Sequence, residues 1–378
     1  MNFHDQAISA WQEFLQTKVN HYKKYRNYDY GPLSDSYVSK ISPFISHRVL
    51  FEYQIIAELN SKYNPSLVNK YIEEVFWRIY WKGWLEIKPC VWNEFISNKQ
   101  IKFDDSLYEK ALKGITKLDY FNAWVKELKK YNYLHNHTRM WFASTWIYTL
   151  GLPWQLGARF FFEHLYDGDA ASNLLSWRWV AGLHTKGKRY LFNSENLRKF
   201  SNNRFLVKNI DHKNIREEDE FLFEESEEIF NCDMERDSNH LILFENDMHF
   251  ETLESVIKNY QKVYLILLDN ADRKLKLSKK VFNFKKKLTL EFSQRFENVD
   301  LISSSEIYKK LRKINHLDMI YPCIGDNNDF IKKFQIENNK SIKNLVREED
   351  LFSWKFAKKG FFRFKQNIPL ILSFIQNE

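Results

Sequence analysis

The chain has 378 residues, of which 44% are hydrophobic and 17% aromatic, and this composition favours two globular domains over one. Its net charge of +8 favours a polyanionic partner, and the excess lies in residues 1–207, which hold 28 basic and 19 acidic side chains. There is no apolar run long enough for a membrane helix and no signal-peptide pattern, and the three cysteines fit neither a metal site nor a disulfide framework. We therefore expect a metal-free, cytoplasmic protein that does not enter a membrane.

The first half of the chain shows the apolar period of amphipathic helices, interrupted by a tyrosine-rich loop at residues 22–31. Two serines, Ser39 and Ser42, precede Pro43, and a serine-rich helix start of this kind suits a phosphate, although such starts are common without ligands. The predicted helices cover residues 6–25, 68–88 and 104–130 (as one helix or two), and the stretch 131–141 opens a further helix that runs to about residue 150.

Residues 167–179 read Asp-Gly-Asp-Ala-Ala-Ser-Asn-Leu-Leu-Ser-Trp-Arg-Trp. Asp169 is a good N-cap residue for a helix that starts at Ala170. In that helix Asp169, Asn173 and Trp177 share one face. Alone, the pattern is typical of a capped, half-buried aromatic helix.

Polar side chains also occur among large rings in the helix at residues 68–88. Glu74 and Arg78 are four residues apart, beside Trp77 and Trp81, so they either pair with each other at the surface or face a ligand. Further along, the spacing of His135 and His137 is poor for two ligands on one helix face, which argues against a metal site.

The second half of the chain follows a different pattern. Residues 216–237 are acidic and resemble a linker, and apolar runs then alternate with helical segments, which predicts a parallel sheet. We expect strands at residues 241–244, 263–268, 299–302 and 319–324, and helices at 250–259 and 305–313. The lack of a glycine-rich loop argues against a nucleotide site there. The predicted fold is mostly α, with a helical domain at 1–207, a linker at 208–238 and a smaller α/β domain at 239–378.

Four blocks of the first half, at residues 39–44, 74–78, 134–140 and 167–179, resemble in order and spacing the FAD-binding helical domain of the photolyase/cryptochrome family. The resemblance implies FAD bound in a central cavity. The cofactor-binding residues that it implies are Ser39, Ser42, Arg78, Asn136, Arg139, Asp167, Asp169 and Asn173. Ser39 and Ser42 would hold the pyrophosphate, and Asn173 would face flavin N5.

The same resemblance implies an electron path and a lesion site. Trp177 and Trp154 match the inner and middle tryptophans of the family's electron-relay chain, and Trp92 or Trp124 could be the outer one. In dimer photolyases the matching lesion wall is formed by Glu74, Trp77, Met140 and Trp179. Glu74 would bond the base edges while the two rings stack on the dimer. DNA phosphates would meet a basic rim formed by Arg26, Lys186, Lys188 and Arg189.

The chain also departs from the family pattern. We expect the family's N-terminal antenna domain to be missing, and residues 241–249 faintly resemble the start of such a domain, so a relocated copy is one interpretation. The antenna chromophore stays open. His137 stands where a DNA-contacting arginine is usual. The basic, aromatic tail at 358–365 could dock on the first domain or on nucleic acid.

The leading hypothesis is a photolyase, a lyase that uses excited reduced FAD to repair cyclobutane pyrimidine dimers in DNA. A second hypothesis is a cryptochrome-like blue-light receptor that signals to a partner protein through the redox state of its flavin. The lesion-wall residues favour repair, whereas His137 and the expected lack of the antenna domain favour the receptor. A third hypothesis is a flavin-free helical protein that binds nucleic acid.

Overall fold

The computed structural model describes residues 2–97, 102–185, 188–213 and 223–376. Within these ranges a large helical part is followed by a five-stranded parallel sheet with flanking helices, so the predicted fold class is confirmed. None of the helices in these ranges is long and apolar enough to cross a membrane.

The helical part contains most of the elements predicted from the sequence. The segment predicted as one helix at 6–25 is two helices, because the backbone leaves the helical conformation at Lys18 (φ −125°). The π-helical turn Thr145–Thr149 extends α9. The helices are α1 (Phe3–Thr17), α2 (Val19–Tyr25), α3 (Ser42–Ser46), α4 (Glu52–Lys62), α5 (Pro65–Ile87), α6 (Cys90–Ile96), α7 (Asp105–Lys113), α8 (Asp119–Tyr131), α9 (Asn136–Ser144), α10 (Trp154–His164), α11 (Ala170–Val180) and α12 (Ser194–Phe200).

Helix α5 is the central element of this part. It starts with Pro65 in its first turn, and the Asn64 side chain accepts a hydrogen bond from the Ser66 amide, which is the usual capping arrangement. All its residues from Ile79 to Ile87 are buried, so this half is covered on every side, as expected of a core helix. Helices α2, α4 and α11 pack against it.

The parallel sheet has the strand order β3-β2-β1-β4-β5, where the strands are β1 (His240–Phe244), β2 (Lys262–Leu267), β3 (Val299–Ser303), β4 (His316–Ile320) and β5 (Ser341–Leu345). The predicted strand at 319–324 lies too far along the chain, because β4 ends at Ile320, before Pro322 and the left-handed Cys323 (φ 59°). The helices of this part are α13 (Phe250–Lys258), α14 (Lys279–Ser293), α15 (Ile307–Lys310) and α16 (Asp326–Glu337).

The last three helices, α17 (Glu348–Trp354), α18 (Phe361–Lys365) and α19 (Ile368–Gln376), return to the helical part and pack on α4 and α5. Trp354 lies so close to Gly83 that a Cβ there would be 2.7 Å from the ring. The sequence left open whether the tail at 358–365 docks on the first domain or on nucleic acid. In the structure it packs on the helical part. The domain boundaries near residues 207 and 238 remain predictions.

A buried ion network also joins the helical part to the sheet. The guanidinium of Arg48 contacts Glu52 (3.2 Å), Asp350 (2.7 Å) and Asp247 (3.4 Å), and Arg347 contacts Asp247 at 2.9 Å. Burial acts to raise the pKa of the Asp247 carboxyl group, but the charges of the two arginines outweigh the effect of burial and lower this pKa. Since a buried charge is tolerated only with such partners, we infer that the network fixes how the two parts pack.

Candidate flavin and lesion site

A cavity of about 670 Å³ opens between α2, α5, α9 and α11. This volume lies in the range of cofactor and ligand sites. Most residues predicted for cofactor and lesion line this one cavity: Ser39, Ser42, Glu74, Trp77, Arg78, Asn136, Arg139, Met140, Asp167, Asn173, Trp177 and Trp179. The blocks were singled out separately in the sequence, and the fold brings them together.

The start of α11 has the predicted geometry. The Asp169 carboxylate accepts a hydrogen bond from the Ser172 amide at 2.7 Å and so caps the helix. Asn173 and Trp177 follow at successive turns and line the cavity, but Asp169 does not; it lies behind Arg78 and forms an ion pair with it. Asp169 therefore orients Arg78, and a direct contact of Asp169 with FAD remains a prediction.

The cavity wall contains polar groups that fit a polar ligand. Asp167 is buried and pairs with Arg139 at 2.9 Å. Burial acts to raise its pKa, but the Arg139 guanidinium, a hydrogen bond with Ser42 and the charge of Arg78 together outweigh burial and lower it. Three buried polar atoms of lining residues have no hydrogen-bond partner among the described residues: Asp167 Oδ1, Ser172 Oγ and Trp177 Nε1. Because buried polar groups are normally satisfied, the donor set fits a cofactor that is rich in polar atoms.

Two of the residues predicted for the cofactor, Ser39 and Asn173, are held by hydrogen bonds within the protein. The Ser39 hydroxyl accepts a hydrogen bond from Tyr71 at 2.9 Å, and Ser42 begins the short helix α3. The amide nitrogen of Asn173 donates to the carbonyl of Ala158 at 2.8 Å, which fixes the side chain in one orientation. Tyr71 and Ser172 also line the cavity, although sequence reasoning did not single them out.

In the lesion wall, the structure decides between the two arrangements of Glu74 and Arg78 that the sequence left open. Glu74 does not pair with Arg78, which follows four residues later, because the Arg78 guanidinium forms an ion pair with Asp169. Its Oε1 instead contacts Arg26 at 3.0 Å and Lys70 at 3.1 Å. The choice between a helical pair and a cavity-facing carboxylate is thus decided by the tertiary structure, and Glu74 is at the cavity.

Phe361, which sequence reasoning missed as a site residue, supports this wall. Its ring stacks on Trp77 with centroids 3.7 Å apart and planes at 11°, although Phe361 itself does not line the cavity. The signal for it was the aromatic, basic composition of residues 358–365. The C-terminal helices therefore help to fix the orientation of a ring in the cavity.

The predicted electron path begins at the cavity wall. Trp154 does not line the cavity, but it starts α10, and Gly157 one turn later is so close to Trp177 that a Cβ would be 2.3 Å from the ring. Phe95 stacks on Trp154 at 5.8 Å and contacts Trp92 at 6.0 Å, whereas Trp124 stacks on Trp141. Of the two candidates for the outer tryptophan, Trp92 is therefore the one that Phe95 connects to Trp154.

Gly157→Ala should test how tightly Trp177 is held. The added methyl group cannot fit without moving the indole, so we expect the free energy of unfolding to fall by about 1–3 kcal/mol and FAD content to drop. Gly360→Ala is the matched control, because a Cβ at Gly360 meets nothing within 4 Å. Chemical denaturation and the absorbance of purified protein measure both effects, and equal behaviour of the two variants would contradict the close contact.

The predicted DNA-contacting rim is only partly described. Arg26 lines the cavity, Lys188 is exposed and Arg189 half-buried, while Lys186 lies outside the described residues. His137 turns inward, with Nδ1 2.8 Å from the Asn27 carbonyl and Nε2 3.1 Å from the Tyr190 hydroxyl. Within the described ranges, no cluster of three or more His, Cys, Asp or Glu side chains could hold a metal ion.

Two buried histidines predict that mild acid destabilises the protein. Burial is the main cause that lowers the pKa of His47 to about 3 and that of His135 to about 4, from 6.5. Below pH 6.5 the unfolded chain therefore binds protons that the folded chain does not. The free energy of unfolding should fall from pH 6.5 towards 4 by about 1.4 kcal/mol per pH unit for each histidine.

Denaturant titrations at several pH values between 7.5 and 5 measure this slope. His47→Gln should reduce the slope of the free energy of unfolding against pH by the contribution of one proton. His316→Gln, at an exposed position, should leave this slope unchanged. Equal slopes for the unaltered protein and His47→Gln would refute the assignment to His47.

Part of the chain is similar to known proteins. Residues 71–212 match a family described as the FAD-binding domain of DNA photolyase. A deoxyribodipyrimidine photo-lyase of Buchnera aphidicola is 28% identical over 193 residues, covering 47% of this chain and 40% of the relative. A cryptochrome DASH of Natronomonas pharaonis is 26% identical over 175 residues, covering 43% and 36%. The match thus spans less than half the length of these relatives.

Among solved structures, the cryptochrome of Synechocystis sp. PCC6803 is similar with a TM-score of 0.47 and 22% identity, covering 53% of this chain and 43% of that one. A bacterial class III photolyase from Agrobacterium tumefaciens is similar with a TM-score of 0.44 and 22% identity, covering 53% and 42%.

Proposed function

Because the helical part of the chain belongs to the photolyase/cryptochrome family and carries its FAD-binding domain, we propose that the protein repairs cyclobutane pyrimidine dimers in DNA using blue light. When bound and excited, reduced FAD would lend the dimer one electron, with which the two C–C bonds of the cyclobutane ring break, and the electron would then return to the flavin. The observation that carries the proposal is the shared cavity, which is lined by both the residues predicted for FAD and those predicted for the lesion.

On the cofactor side, the residues of this chain bind and orient. Arg139 and Arg78 are each held by a carboxylate, Asp167 and Asp169, so their positions are fixed before the cofactor binds. The Oδ1 of Asp167, which has no partner in the described part of the chain, would accept a hydrogen bond from FAD. Asn173, held by Ala158, would turn its amide oxygen to flavin N5 and so influence which redox state persists.

On the lesion side, the wall would receive the two joined pyrimidines of one strand after they have left the base stack. A dimer stacks poorly in DNA, so extruding it costs less than flipping a normal base. Trp77 and Trp179 would stack on it, Met140 would contact it, and Glu74 would accept hydrogen bonds from its base edges. Arg26, beside Glu74, and Lys188 and Arg189 at the rim would contact phosphates.

A blue-light receptor of the cryptochrome type is the second candidate. It is favoured by His137, which stands where a DNA-contacting arginine is usual and is engaged inside the protein. In that case Trp177 and Trp154 would still serve light-driven reduction of FAD, and the signal would pass to a partner protein.

Two measurements separate these candidates. Purified protein incubated with FAD should turn yellow, and a protein that stays colourless would refute both flavin-based functions. The reduced, FAD-loaded protein should restore a dimer-containing oligonucleotide under blue light and leave it unchanged in the dark. A yellow protein that neither binds nor repairs the oligonucleotide would rule out repair and leave the receptor.

A further inference from the structure

A carboxylate of the α/β part contacts a tryptophan of the helical part. The indole nitrogen of Trp92, on α6, donates a hydrogen bond to Oδ2 of Asp329, on α16, at 2.9 Å. Trp92 is 1% exposed, whereas Asp329 is half-buried. The indole is thus closed off from solvent, and its N–H group has a half-buried carboxylate as its hydrogen-bond partner.

This contact distinguishes Trp92 from other tryptophans near the proposed electron path. The indole nitrogens of Trp177 and Trp124 are buried and have no hydrogen-bond partner in the described part of the chain. That of Trp146 donates to the Pro153 carbonyl. Carboxylates act as bases in proteins, whereas a backbone carbonyl only accepts the hydrogen bond. Of these four indoles, Trp92 is therefore the one that has a base within hydrogen-bond distance.

The charges beside the path favour positive charge on Trp92. The Arg178 guanidinium lies 5.8 Å from the centre of the Trp154 ring and so opposes positive charge on that ring. The Asp329 carboxylate has the opposite effect on Trp92. Phe95 packs between the two indoles, with its ring centroid 5.8 Å from that of Trp154 and 6.0 Å from that of Trp92. An electron vacancy on Trp154 is therefore drawn towards Trp92.

The surroundings of Asp329 make its carboxylate a good base. Burial raises the pKa of its carboxyl group, although the hydrogen bond from Trp92 and the charges of Lys274 and Lys332 act against burial. A carboxylate with a raised pKa binds a proton more readily than one at the surface.

We propose that Asp329 accepts the indole proton of Trp92 during light-driven reduction of FAD. The oxidant is photo-excited flavin, and the electron vacancy reaches Trp92 through Trp177 and Trp154. Trp92 gives one electron to oxidised Trp154, its N–H bond breaks with the electron pair left on nitrogen, and the proton binds to Oδ2 of Asp329.

The products of this step are a neutral indole radical and a neutral carboxylic acid. The electron cannot return to Trp92 quickly, because the indole would have to regain its proton, so the reduced flavin persists. An external thiolate then supplies one electron to the radical, and Asp329 returns the proton. This inference rests on the electron path of the proposed function, which the repair and receptor candidates share, and it does not depend on a lesion.

The test is transient absorption of the FAD-loaded protein after a light pulse, because neutral and protonated indole radicals differ in their visible absorption. The unaltered protein should form a long-lived neutral tryptophan radical. Asp329→Asn keeps the size and a hydrogen-bond acceptor but cannot take up the proton. Its radical should stay protonated, with a lifetime about tenfold shorter.

Glu58→Gln is the matched control. Trp11 donates to the Glu58 carboxylate at 2.7 Å, which is the same kind of hydrogen bond away from the proposed path. This variant should form the neutral radical with an unchanged lifetime. A neutral radical that forms equally fast in Asp329→Asn and in the unaltered protein would overturn the proposal, because the proton would then go elsewhere.

If Asp329→Asn does not fold, the unaltered protein decides. A pH-indicator dye should record no proton release while the radical forms, since the proton stays on Asp329. Release in step with radical formation, a long-lived radical that is still protonated, or the absence of a tryptophan radical would each overturn the proposal. Repair by chemically reduced protein does not use this path and is measured separately, so a failure of repair and a failure of the Asp329 step are distinguishable.

Discussion

Exchange of Glu74 for glutamine should lower dimer repair by about tenfold to a hundredfold while FAD remains bound, the usual effect of weakening a hydrogen bond to a charged group in a desolvated site. Both ion pairs of Glu74, to Arg26 and Lys70, use Oε1. We therefore expect Oε2 to accept from the base edges of the dimer. Glutamine keeps the size of the side chain but offers a weaker acceptor. The measurement is the repair yield per absorbed photon of chemically reduced protein, together with its FAD absorbance.

Glu73→Gln is the matched control for this change. Glu73 is the adjacent residue of α5 and also pairs with Lys70, at 3.0 Å, but it does not line the cavity. It should retain full repair, so a general effect of removing a carboxylate from α5 can be recognised. Equal repair by Glu74→Gln and Glu73→Gln would show that Glu74 does not contact the lesion. Loss of FAD from Glu74→Gln would instead assign the residue to cofactor binding.

Exchange of Trp177 for phenylalanine should remove most of the light-driven reduction of FAD and leave repair by chemically reduced protein intact. Trp177 is almost fully buried and lines the cavity, and it connects the cavity to α10 through its contact with Gly157. Phenylalanine preserves an apolar ring but is much harder to oxidise than indole. The rate of flavin absorbance change under blue light, with an external electron donor, measures the first effect.

Trp146→Phe provides the control for a tryptophan that is close to Trp177 but outside the proposed path. The two rings are 6.3 Å apart edge-to-face, Trp146 is fully buried, and its indole nitrogen donates to the Pro153 carbonyl. Its photoreduction should stay close to that of the unaltered protein. If Trp146→Phe lost as much photoreduction as Trp177→Phe, electrons would have to pass through Trp146. If Trp177→Phe lost photoreduction and repair equally, Trp177 would support the site as a whole.

Local features of the fold could be predicted because they are encoded within a few residues. The cap of α11 by Asp169 needs one side chain and one amide three residues away, and both are visible in the sequence. The alternating apolar runs predicted the parallel sheet in the same way. Strand β5 was missed because its sequence, Ser-Ile-Lys-Asn-Leu, is mostly polar at the sheet edge, where a strand needs no continuous apolar run.

The sequence by itself determined which residues to propose for a flavin and lesion site, because four blocks resemble those of the photolyase/cryptochrome family in order and spacing. The tertiary structure alone decided their partners: Arg26 rather than Arg78 for Glu74, Phe361 as support for Trp77, and Trp92 rather than Trp124 on the Trp154 side. Helical spacing fixes only neighbours three or four residues apart. Contacts between residues hundreds of positions apart, such as Trp77 and Phe361, depend on how whole elements pack.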